Sequence, residues 1–412
     1  MSVIEPGLPR EKFYGWTVVA AAFSVLFLAY GLQFSYGVFV LGMTADLGWS
    51  RADTVLPYSI YVFLYSVLSA VTGRATDRFG PSVVIRIGAV LIGAGWGLSA
   101  LVTQPWHLSV TLGVIAALGM SVAWVPCNAT VARWFTRRRG TAVAIASTGG
   151  SLGNLLVPAL CAVLVSQWGW RLTLGALAMV TALCIFFAAR YLVRDPEMLG
   201  QWPDGEVPSA ASAEVVSGYT VREILWTEPF LFIIGIYLLT WLVIFVPFVH
   251  APAYAQDLGL SSLMGASVLS AIGVGGVLGR LASGVVSDAL GRIPTLLVVC
   301  GMQALSFGLF AVAQEASALL IAAVIFGMSY GGGVTVLPPL CSDLFGRAHV
   351  ASVVGAIFAI AGAPAAAGPY LAGWLYDTTG SYESAFIYAA GLNALALLLT
   401  VLLAWRTSAR EK

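Results

Sequence analysis

The segment Gly73-Arg74-Ala75-Thr76-Asp77-Arg78-Phe79-Gly80 recurs in altered form as Gly284-Val285-Val286-Ser287-Asp288-Ala289-Leu290-Gly291. Both copies have the spacing G-x3-D-x2-G, and they begin 211 positions apart in a chain of 412 residues. The same offset separates three further pairs of identical residues: Asp46 and Asp257, Pro158 and Pro369, and Gly169 and Gly380. Because this offset is close to half the chain length, the sequence indicates two duplicated halves. In an apolar chain, such halves favour a path for a solute along the seam between them.

The composition is that of a membrane protein. Hydrophobic residues make up 59% of the chain and charged residues 9%, whereas a soluble protein has roughly 25% charged residues. About 20 helical residues cross a bilayer core of roughly 30 Å, and backbone groups in lipid must bond one another. Each long apolar stretch therefore predicts a transmembrane helix. Twelve such stretches lie near residues 14–41, 54–73, 82–103, 107–132, 140–166, 172–193, 229–255, 262–287, 294–314, 316–341, 350–376 and 384–405. We expect an all-α membrane protein with twelve transmembrane helices in two pseudo-symmetric six-helix bundles.

The basic residues predict the orientation in the membrane. Of the 20 Lys and Arg residues, only Arg51 and Arg171 fall in loops on one side, and Arg280 lies inside a span. The other 17 belong to the tails and to the loops on the opposite side, so the positive-inside rule predicts that both termini are cytoplasmic. We expect no cleaved signal peptide, because the first apolar stretch is too long. The short tails and loops favour a bacterial inner membrane.

Residues 195–228 differ from the rest of the chain. They hold seven of the 19 acidic residues, and we interpret them as a cytoplasmic linker that tethers the two bundles. The predicted domains are thus an N-terminal bundle of residues 1–194, the linker, and a C-terminal bundle of residues 229–412. Within the linker, Thr220 and Glu223 have the spacing of a capping box, which predicts a short surface helix.

The two glycine-aspartate segments follow the second and the eighth apolar stretch. Glycine lets neighbouring helices approach closely, and Asp can cap a helix or pair with Arg. At these positions the segments resemble the signature loops of the major facilitator superfamily, and the resemblance covers essentially the whole chain. It implies the fold of that superfamily and a gating role on the cytoplasmic side for Asp77, Arg78, Asp288 and Arg292. Helix capping alone is the alternative for these residues.

Several shorter motifs resemble those of the monocarboxylate transporter family. They are Gly15-Trp16, Trp134-Phe135-Thr136-Arg137-Arg138-Arg139-Gly140, Gly169-Trp170-Arg171, Asp343-Leu344-Phe345-Gly346 and the segment from Gly368 to Asp377. The motifs also occur in the order found in that family. The resemblance implies a carrier that moves a small monocarboxylate with a proton. It further implies that an arginine in helix 8, here Arg280, binds the substrate carboxylate.

Arg280 is also the residue that physical chemistry alone singles out. It lies 18 residues into the eighth stretch, where a charge costs at least about 2.5–3.5 kcal/mol on insertion scales. No Asp or Glu falls securely within a span to pair with it. An unpaired guanidinium that faces a cavity can bind a carboxylate through two hydrogen bonds. The alternative is that Arg280 extends to the membrane surface or caps backbone carbonyls. Three polar residues inside other spans are further candidate substrate ligands: Asn128, Tyr30 and Tyr330.

Two positions depart from the monocarboxylate transporter pattern. Gly276 stands where animal members often have Asp, and Phe34 stands where they have Lys. The usual proton relay is therefore absent, and Asp257 and His250 are the candidate proton-coupling residues. His250 is also a candidate substrate ligand, and imidazole suits proton exchange because its charge changes near neutral pH. The alternative for Asp257 is helix capping, as for its counterpart Asp46, and the alternative for His250 is a hydrogen-bonded core histidine.

Other functional classes find little support in the sequence. The chain has no paired His-Cys metal spacing, no nucleotide-binding P-loop and no large soluble domain, so we expect neither an enzyme nor an ATP-driven pump. We expect no catalytic residues, no metal site and no cofactor. The net charge of +1 gives no reason to expect a nucleic-acid partner. The five cysteines lie in or at the end of apolar stretches, and we interpret them as packing residues.

The sequence as a whole predicts a proton-coupled symporter that works by alternating access in a lipid bilayer. The family resemblance implies that its substrate is a small monocarboxylate such as L-lactate or pyruvate, whereas the physical argument from Arg280 supports only a small anion. An exchanger of the oxalate-formate type and a transporter-like sensor are the alternatives. The exchangers use a second membrane cation in helix 11, and residues 351–376 contain no Lys or Arg.

Overall fold

The structure, a computed structural model, describes residues 13–49, 51–206 and 218–410, and these ranges contain helices and no strand. Eleven segments of this part of the chain are long and apolar enough to cross a membrane. One of them, Arg139–Tyr191, has 53 residues and would be about 80 Å long at 1.5 Å per residue. It bends at Gly169 (φ 73°, ψ 165°). The bend divides it into the two spans predicted at 140–166 and 172–193, so the eleven segments accommodate all twelve predicted helices.

The twelve helices follow the predicted order. Helices 1 to 6 comprise Gly15–Phe34 with Tyr36–Leu47 (helix 1), Arg51–Phe79 (helix 2), Pro81–Ser99 (helix 3), Pro105–Trp134 (helix 4), and the parts of Arg139–Ala188 before and after Gly169 (helices 5 and 6). Helices 7 to 12 comprise Glu228–Leu242 with Val246–Asp257 (helix 7), Ser262–Leu290 (helix 8), Arg292–Val312 (helix 9), Ala316–Phe345 (helix 10), Val350–Gly362 with Gly368–Thr379 (helix 11), and Glu383–Arg410 (helix 12).

Helices 1, 7 and 11 are interrupted along their length. Helix 1 breaks at Ser35, helix 7 at residues 243–245, and helix 11 at the 3-10 turn Ala363–Ala367. Pro247 follows the break in helix 7, and Pro364 lies in the turn of helix 11. Proline has no N–H to donate and clashes with the preceding turn, which favours a break at these positions. Interrupted helices at membrane depth typically line the solute cavity of a carrier.

The linker contains the predicted surface helix. Val221–Ile224 is helical, and the backbone N–H of Thr220 donates to Glu223 Oε2 at 2.7 Å, which confirms the capping box. Two short 3-10 segments, Pro196–Leu199 and Pro203–Gly205, precede it. Residues 207–217 lie outside the described residues, and the domain boundaries at 194 and 229 stay a prediction.

Two mirrored helix pairs join the halves near one face of the bundle. A Cβ added to Gly73 in helix 2 would lie 2.2 Å from the carbonyl oxygen of Ala351 in helix 11. A Cβ added to Gly284 in helix 8 would lie 2.4 Å from Cβ of Ala144 in helix 5. We call the face that carries residues 135–138, 190–206 and 346–349 the linker side, and the face with residues 100–104, 258–261 and 380–382 the far side. The two glycines of the duplicated segment therefore permit close contact of the halves toward the linker side.

Replacing Gly73 with Ala should weaken this contact, because the new methyl group must push helix 2 away from the helix 11 backbone. We expect longer distances between spin labels on the linker-side ends of helices 2 and 11, measured by pulsed electron resonance. Gly301→Ala is the control, because a Cβ added at Gly301 meets nothing within 4 Å. Identical distance distributions in Gly73→Ala and the wild type would contradict the tight packing.

Candidate functional site

Arg280 lies at the seam between the halves. The residue is only 6% exposed, and its Nε donates a 2.8 Å hydrogen bond to Ser151 Oγ in helix 5 of the other half. Its guanidinium lies over the ring of Tyr330, 5.5 Å from the ring centre. Such a cation–π contact contributes about 0.5–2 kcal/mol, but it does not neutralise the charge. The charge of Arg280 is therefore held in place by neutral groups from both halves.

Aromatic side chains from both halves surround Arg280. Phe248 of helix 7 packs edge-on against Tyr330 at 5.6 Å. From the first half, Tyr30 lies close enough to Arg280, Tyr330 and Tyr65 to interact with them electrostatically. The structure thus brings together three of the predicted substrate ligands: Arg280, Tyr30 and Tyr330.

The guanidinium of Arg280 has unused binding capacity. Among the residues that the structure describes, no carboxylate pairs with it, and Nε is the atom that Ser151 occupies. A Cβ added to the nearby Gly276 would come no closer than 3.8 Å to any neighbouring atom, and Ser151 Oγ would lie at 3.9 Å. The planar Arg fork with its two terminal nitrogens matches the geometry of one carboxylate. The site has the chemistry to hold a single carboxylate group.

The two other predicted substrate ligands lie in contacts of their own. Asn128 is fully buried; its Nδ2 donates to the Trp124 carbonyl (2.9 Å), and its Oδ1 accepts from Ser147 Oγ (2.7 Å). The bond to Ser147 ties helix 4 to helix 5, and the bond to Trp124 lies within helix 4. His250 contacts Tyr382 and the backbone of helix 11. The structure does not bring Asn128 or His250 into contact with Arg280, and their role in substrate binding stays a prediction.

The mirrored acids Asp46 and Asp257 have different surroundings. Asp46 accepts 3.3 Å hydrogen bonds from Arg171 Nε and Trp170 Nε1 of helix 6. Asp257 is exposed at the end of helix 7, and helix 8 is capped by Ser261, whose Oγ accepts from the backbone N–H of Met264. The capping alternative considered for Asp257 is therefore not what the structure shows.

On the linker side, the two signature aspartates each cap a helix of the opposite half. Asp77 Oδ2 accepts from the backbone N–H (2.7 Å) and the hydroxyl (2.6 Å) of Ser352, in the first turn of helix 11. Asp288 accepts from the backbone N–H groups of Gly140 and Thr141, both at 2.7 Å, in the first turn of helix 5. Helix N-termini carry unpaired N–H groups and a partial positive charge, so a carboxylate is favoured there. Capping and the joining of the halves are thus one and the same contact.

Each of these two carboxylates pairs with an arginine of its own half. Arg133 is 4% exposed and binds Asp77 at 2.7 Å and Asp195 at 2.8 Å. Arg292 binds Asp288 at 2.6 Å and Asp343 at 2.9 Å. We call these ion pairs, together with the two helix caps, the linker-side latch.

The latch contains residues that the sequence interpretation did not identify. Asp343 also pairs with Arg139 of the first half, although the sequence singles out neither residue beyond its place in a family motif. No pattern in the sequence singles out Arg133. Arg78, a predicted gating residue, is exposed and lies over the ring of Phe79 at 5.2 Å. The structure does not bring Arg78 into the latch.

The linker takes part in the same closure. Glu197 pairs with Arg347 of the second half, and the backbone N–H of Tyr219 donates to the Phe345 carbonyl at 2.8 Å. A cavity of about 450 Å³ opens beside these groups. Its arginines, 133 and 194, are already bound to Asp77 and Asp195, so the cavity offers no free cation for a substrate anion.

Comparison with known proteins identifies the architecture. The family model of the Major Facilitator Superfamily matches residues 22–368 and, in a second match, residues 304–412. The chain belongs to the Major Facilitator Superfamily. The expected fold class is confirmed, and the related proteins are membrane transporters, not enzymes.

Curated relatives and a solved structure agree with this assignment. Monocarboxylate transporter 13 of Rattus norvegicus is 28% identical over 404 residues, which cover 95% of this chain and 90% of the relative. Monocarboxylate transporter 11 of Mus musculus is 30% identical over 392 residues, which cover 93% and 86%. The Major Facilitator Superfamily transporter FucP in its outward conformation matches with a TM-score of 0.74 at 14% identity, covering 93% of this chain and 98% of FucP.

One ion pair of the linker-side latch, between Arg133 and Asp195, resists mild acidification. Burial of Asp195 disfavours its charge, but Arg133 and Arg194 outweigh burial and lower the pKa of Asp195. A lowered pKa in the folded protein means that this pair, which lies within the first half and the start of the linker, stabilises the fold above the ordinary carboxyl pKa of about 4. The contribution is lost only as the pH falls below that value. Acidification from pH 7.5 to pH 5.5 therefore leaves the Arg133–Asp195 pair intact.

Replacing Asp343 with Asn should loosen the latch, because buried Arg139 then loses its carboxylate partner. Asp343 is 38% exposed, so we expect a cost of about 1 kcal/mol, below the value for a fully buried pair. The measurement is hydrogen–deuterium exchange of the amides in the first turn of helix 5, which should quicken about fivefold. Glu206→Gln is the control, because its pair with Arg137 is exposed (75% and 60%) and should contribute little. Equal exchange in both variants would contradict a latch role for Asp343.

Proposed function

We propose that this transporter carries a small monocarboxylate together with a proton, and that Arg280 binds the carboxylate. The observation that carries the proposal is a buried guanidinium at the seam of the halves with no carboxylate partner among the described residues. A carrier must expose its site to each side of the membrane in turn, and the seam is where two rocking halves do so. L-Lactate and pyruvate are the substrates that we favour, because the relatives are named monocarboxylate transporters.

The linker side is, in this proposal, the cytoplasmic side of a bacterial inner membrane. The basic run Arg137-Arg138-Arg139 and most other Lys and Arg residues belong to the tails and linker-side loops, as the positive-inside rule requires. The latch then closes the cytoplasmic route to Arg280, so this conformation receives substrate from outside. Asp77 and Asp288 act as gating residues, because their caps on helices of the opposite half must break before the halves can rock open toward the cytoplasm. Arg292 acts as a gating residue through Asp288 and Asp343, which it binds within the second half.

A proton makes the proposed transport electroneutral. One monocarboxylate and one proton cross without net charge, whereas an anion alone opposes an inside-negative potential at about 2.3 kcal/mol per 100 mV. Gly276, which stands where animal monocarboxylate transporters often have Asp, has no side chain that could carry a proton beside Arg280. The proton must therefore bind elsewhere in the protein or on the substrate. Asp257 and His250 are the proposed proton-coupling residues. A sensor without transport activity would show no flux when the purified protein is placed in lipid vesicles.

Replacing Arg280 with Lys should largely abolish substrate binding while the protein still folds and inserts. Lys keeps the charge but loses the two-pronged contact, which is worth about 2 kcal/mol or roughly 30-fold in Kd. Ser151→Ala, which removes only the positioning bond, should cost a few-fold. Binding of L-lactate to purified protein by calorimetry gives the three values. Normal lactate transport by Arg280→Gln would place the anion site elsewhere.

Lactate should be preferred over oxalate. A dianion would bring a second negative charge to a site that has one cation, since helix 11 contains no Lys or Arg between residues 351 and 376. An uncompensated charge in a low-dielectric site costs several kcal/mol. Uptake of labelled lactate and labelled oxalate into the same vesicles tests this expectation. Oxalate uptake that equals or exceeds lactate uptake would instead support the alternative of an oxalate-formate type exchanger.

A further inference from the structure

The duplication makes Asp46 and Asp257 equivalent, and it also makes Arg171 equivalent to Tyr382. The two residues lie 211 positions apart, each two places after a glycine of the repeated pair Gly169 and Gly380. In the first half, Arg171 Nε binds Asp46 at 3.3 Å. In the second half, Asp257 lies within electrostatic reach of Tyr382. A permanent cation in one half is thus replaced by a neutral hydroxyl in the other.

Tyr382 is hydrogen-bonded to His250. Its hydroxyl lies 3.2 Å from His250 Nδ1, and His250 Nε2 lies 2.8 Å from the carbonyl oxygen of Pro369. Because a carbonyl only accepts hydrogen bonds, Nε2 carries a proton, and in the neutral imidazole Nδ1 accepts the Tyr382 O–H. After protonation, Nδ1–H donates to the Tyr382 oxygen instead. Both charge states of His250 are therefore fully hydrogen-bonded in the same geometry.

The surroundings of this group are acidic. The negative charge of Asp377 interacts with Tyr382, and that of Glu383 interacts with Tyr254. The Tyr254 hydroxyl donates a hydrogen bond to the Ala313 carbonyl at 3.0 Å. Glu315 precedes helix 10 on the same side, and neither residues 246–279 nor residues 368–390 contain a Lys or Arg. A negative field without a compensating cation attracts protons and stabilises a charged imidazole.

The Tyr382 hydroxyl stays protonated in this setting. Burial raises the pKa of Tyr382, and the charges of Asp257 and Asp377 raise it further. Its ring stacks on Tyr376 at 4.3 Å with an interplanar angle of 27°, and Tyr376 also lies within electrostatic reach of Asp257. The Tyr382 hydroxyl is therefore a neutral donor and acceptor beside the imidazole of His250.

We propose that Tyr382 and His250 form a proton-loading site on the far side of the second half, with Tyr382 as the relay and with Asp257 supplying negative charge nearby. The proposal rests on the proton symport proposed above. A hydronium ion from the far side gives a proton to the Tyr382 oxygen and leaves as water. The original Tyr382 proton passes to His250 Nδ1. The products are water, a neutral Tyr382 and an imidazolium, so one proton has moved and no bond order or oxidation state has changed.

The position of His250 links this proton to the conformation of the protein. His250 lies in the part of helix 7 that follows its break, and Pro369 lies in the part of helix 11 that follows the turn Ala363–Ala367. The Nε2–H bond to the Pro369 carbonyl therefore joins two segments beyond the helix interruptions. Phe248, two residues before His250, contacts Tyr330 beside Arg280. Protonation of His250 thus acts on elements that also border the anion site.

The test is uptake of labelled L-lactate by reconstituted protein, with and without an acid far side, together with lactate–lactate exchange at equal pH. In the wild type, the gradient should accelerate uptake. Tyr382→Phe keeps the stacked ring but removes the relay oxygen, so the acceleration should fall roughly tenfold or more while exchange persists. Tyr382→Arg imitates the first half, and we expect the same loss because the relay oxygen is again absent.

Tyr254→Phe and Asp46→Asn are the controls, since they change a neighbouring hydroxyl and the mirrored acid outside the relay. Both should keep the acceleration. Full acceleration in Tyr382→Phe would overturn the relay and leave proton symport standing. Equal loss in Tyr382→Phe and Tyr254→Phe, with exchange also lost, would assign Tyr382 a structural role and overturn the relay as well. A wild type whose lactate uptake ignores the gradient would overturn the proposed symport itself.

Discussion

A buried charge without a countercharge is the constraint on which the proposed function depends. Arg280 stays charged at any physiological pH, and placing it inside a membrane protein costs several kcal/mol unless other groups compensate. The described part of the protein supplies a hydroxyl from Ser151 and the face of Tyr330, which compensate only partly. An anion that enters the seam completes the site. The negative group that would neutralise Arg280 is thus the carboxylate of the proposed substrate.

The linker-side latch differs from the Arg280 site, because every charge of the latch that the structure describes is paired. Asp77 and Asp288 accept hydrogen bonds from helix N-termini of the other half, and Arg133 and Arg292 pair with these carboxylates in turn. Breaking such contacts exposes paired groups to water, which re-solvates them, so the closed and open states can lie close in energy. Substrate at Arg280 therefore needs only a modest differential affinity to shift the balance.

The sequence predicted the features that depend on local pattern or on the duplication. The spans follow from apolar length, Arg280 from its isolation in an apolar stretch, and the capping box from the spacing of Thr220 and Glu223. The sequence did not predict contacts between residues far apart in the chain. Ser151 contacts Arg280 across 129 positions and Asp343 contacts Arg139 across 204, and a local sequence pattern cannot identify such pairs. The offset of 211 did contain a further signal. Applied to Arg171, it points to Tyr382, which single-residue reasoning about titratable groups passed over.

The most direct test of the central claim is an experimental structure of the protein with L-lactate at saturating concentration, determined by electron cryo-microscopy in lipid nanodiscs. The account predicts the carboxylate oxygens within about 3 Å of the two terminal nitrogens of Arg280, with Ser151 still bound to Nε and Tyr30 and Tyr330 beside the ligand. A carboxylate held elsewhere in the seam, with the terminal nitrogens of Arg280 unoccupied, would contradict it.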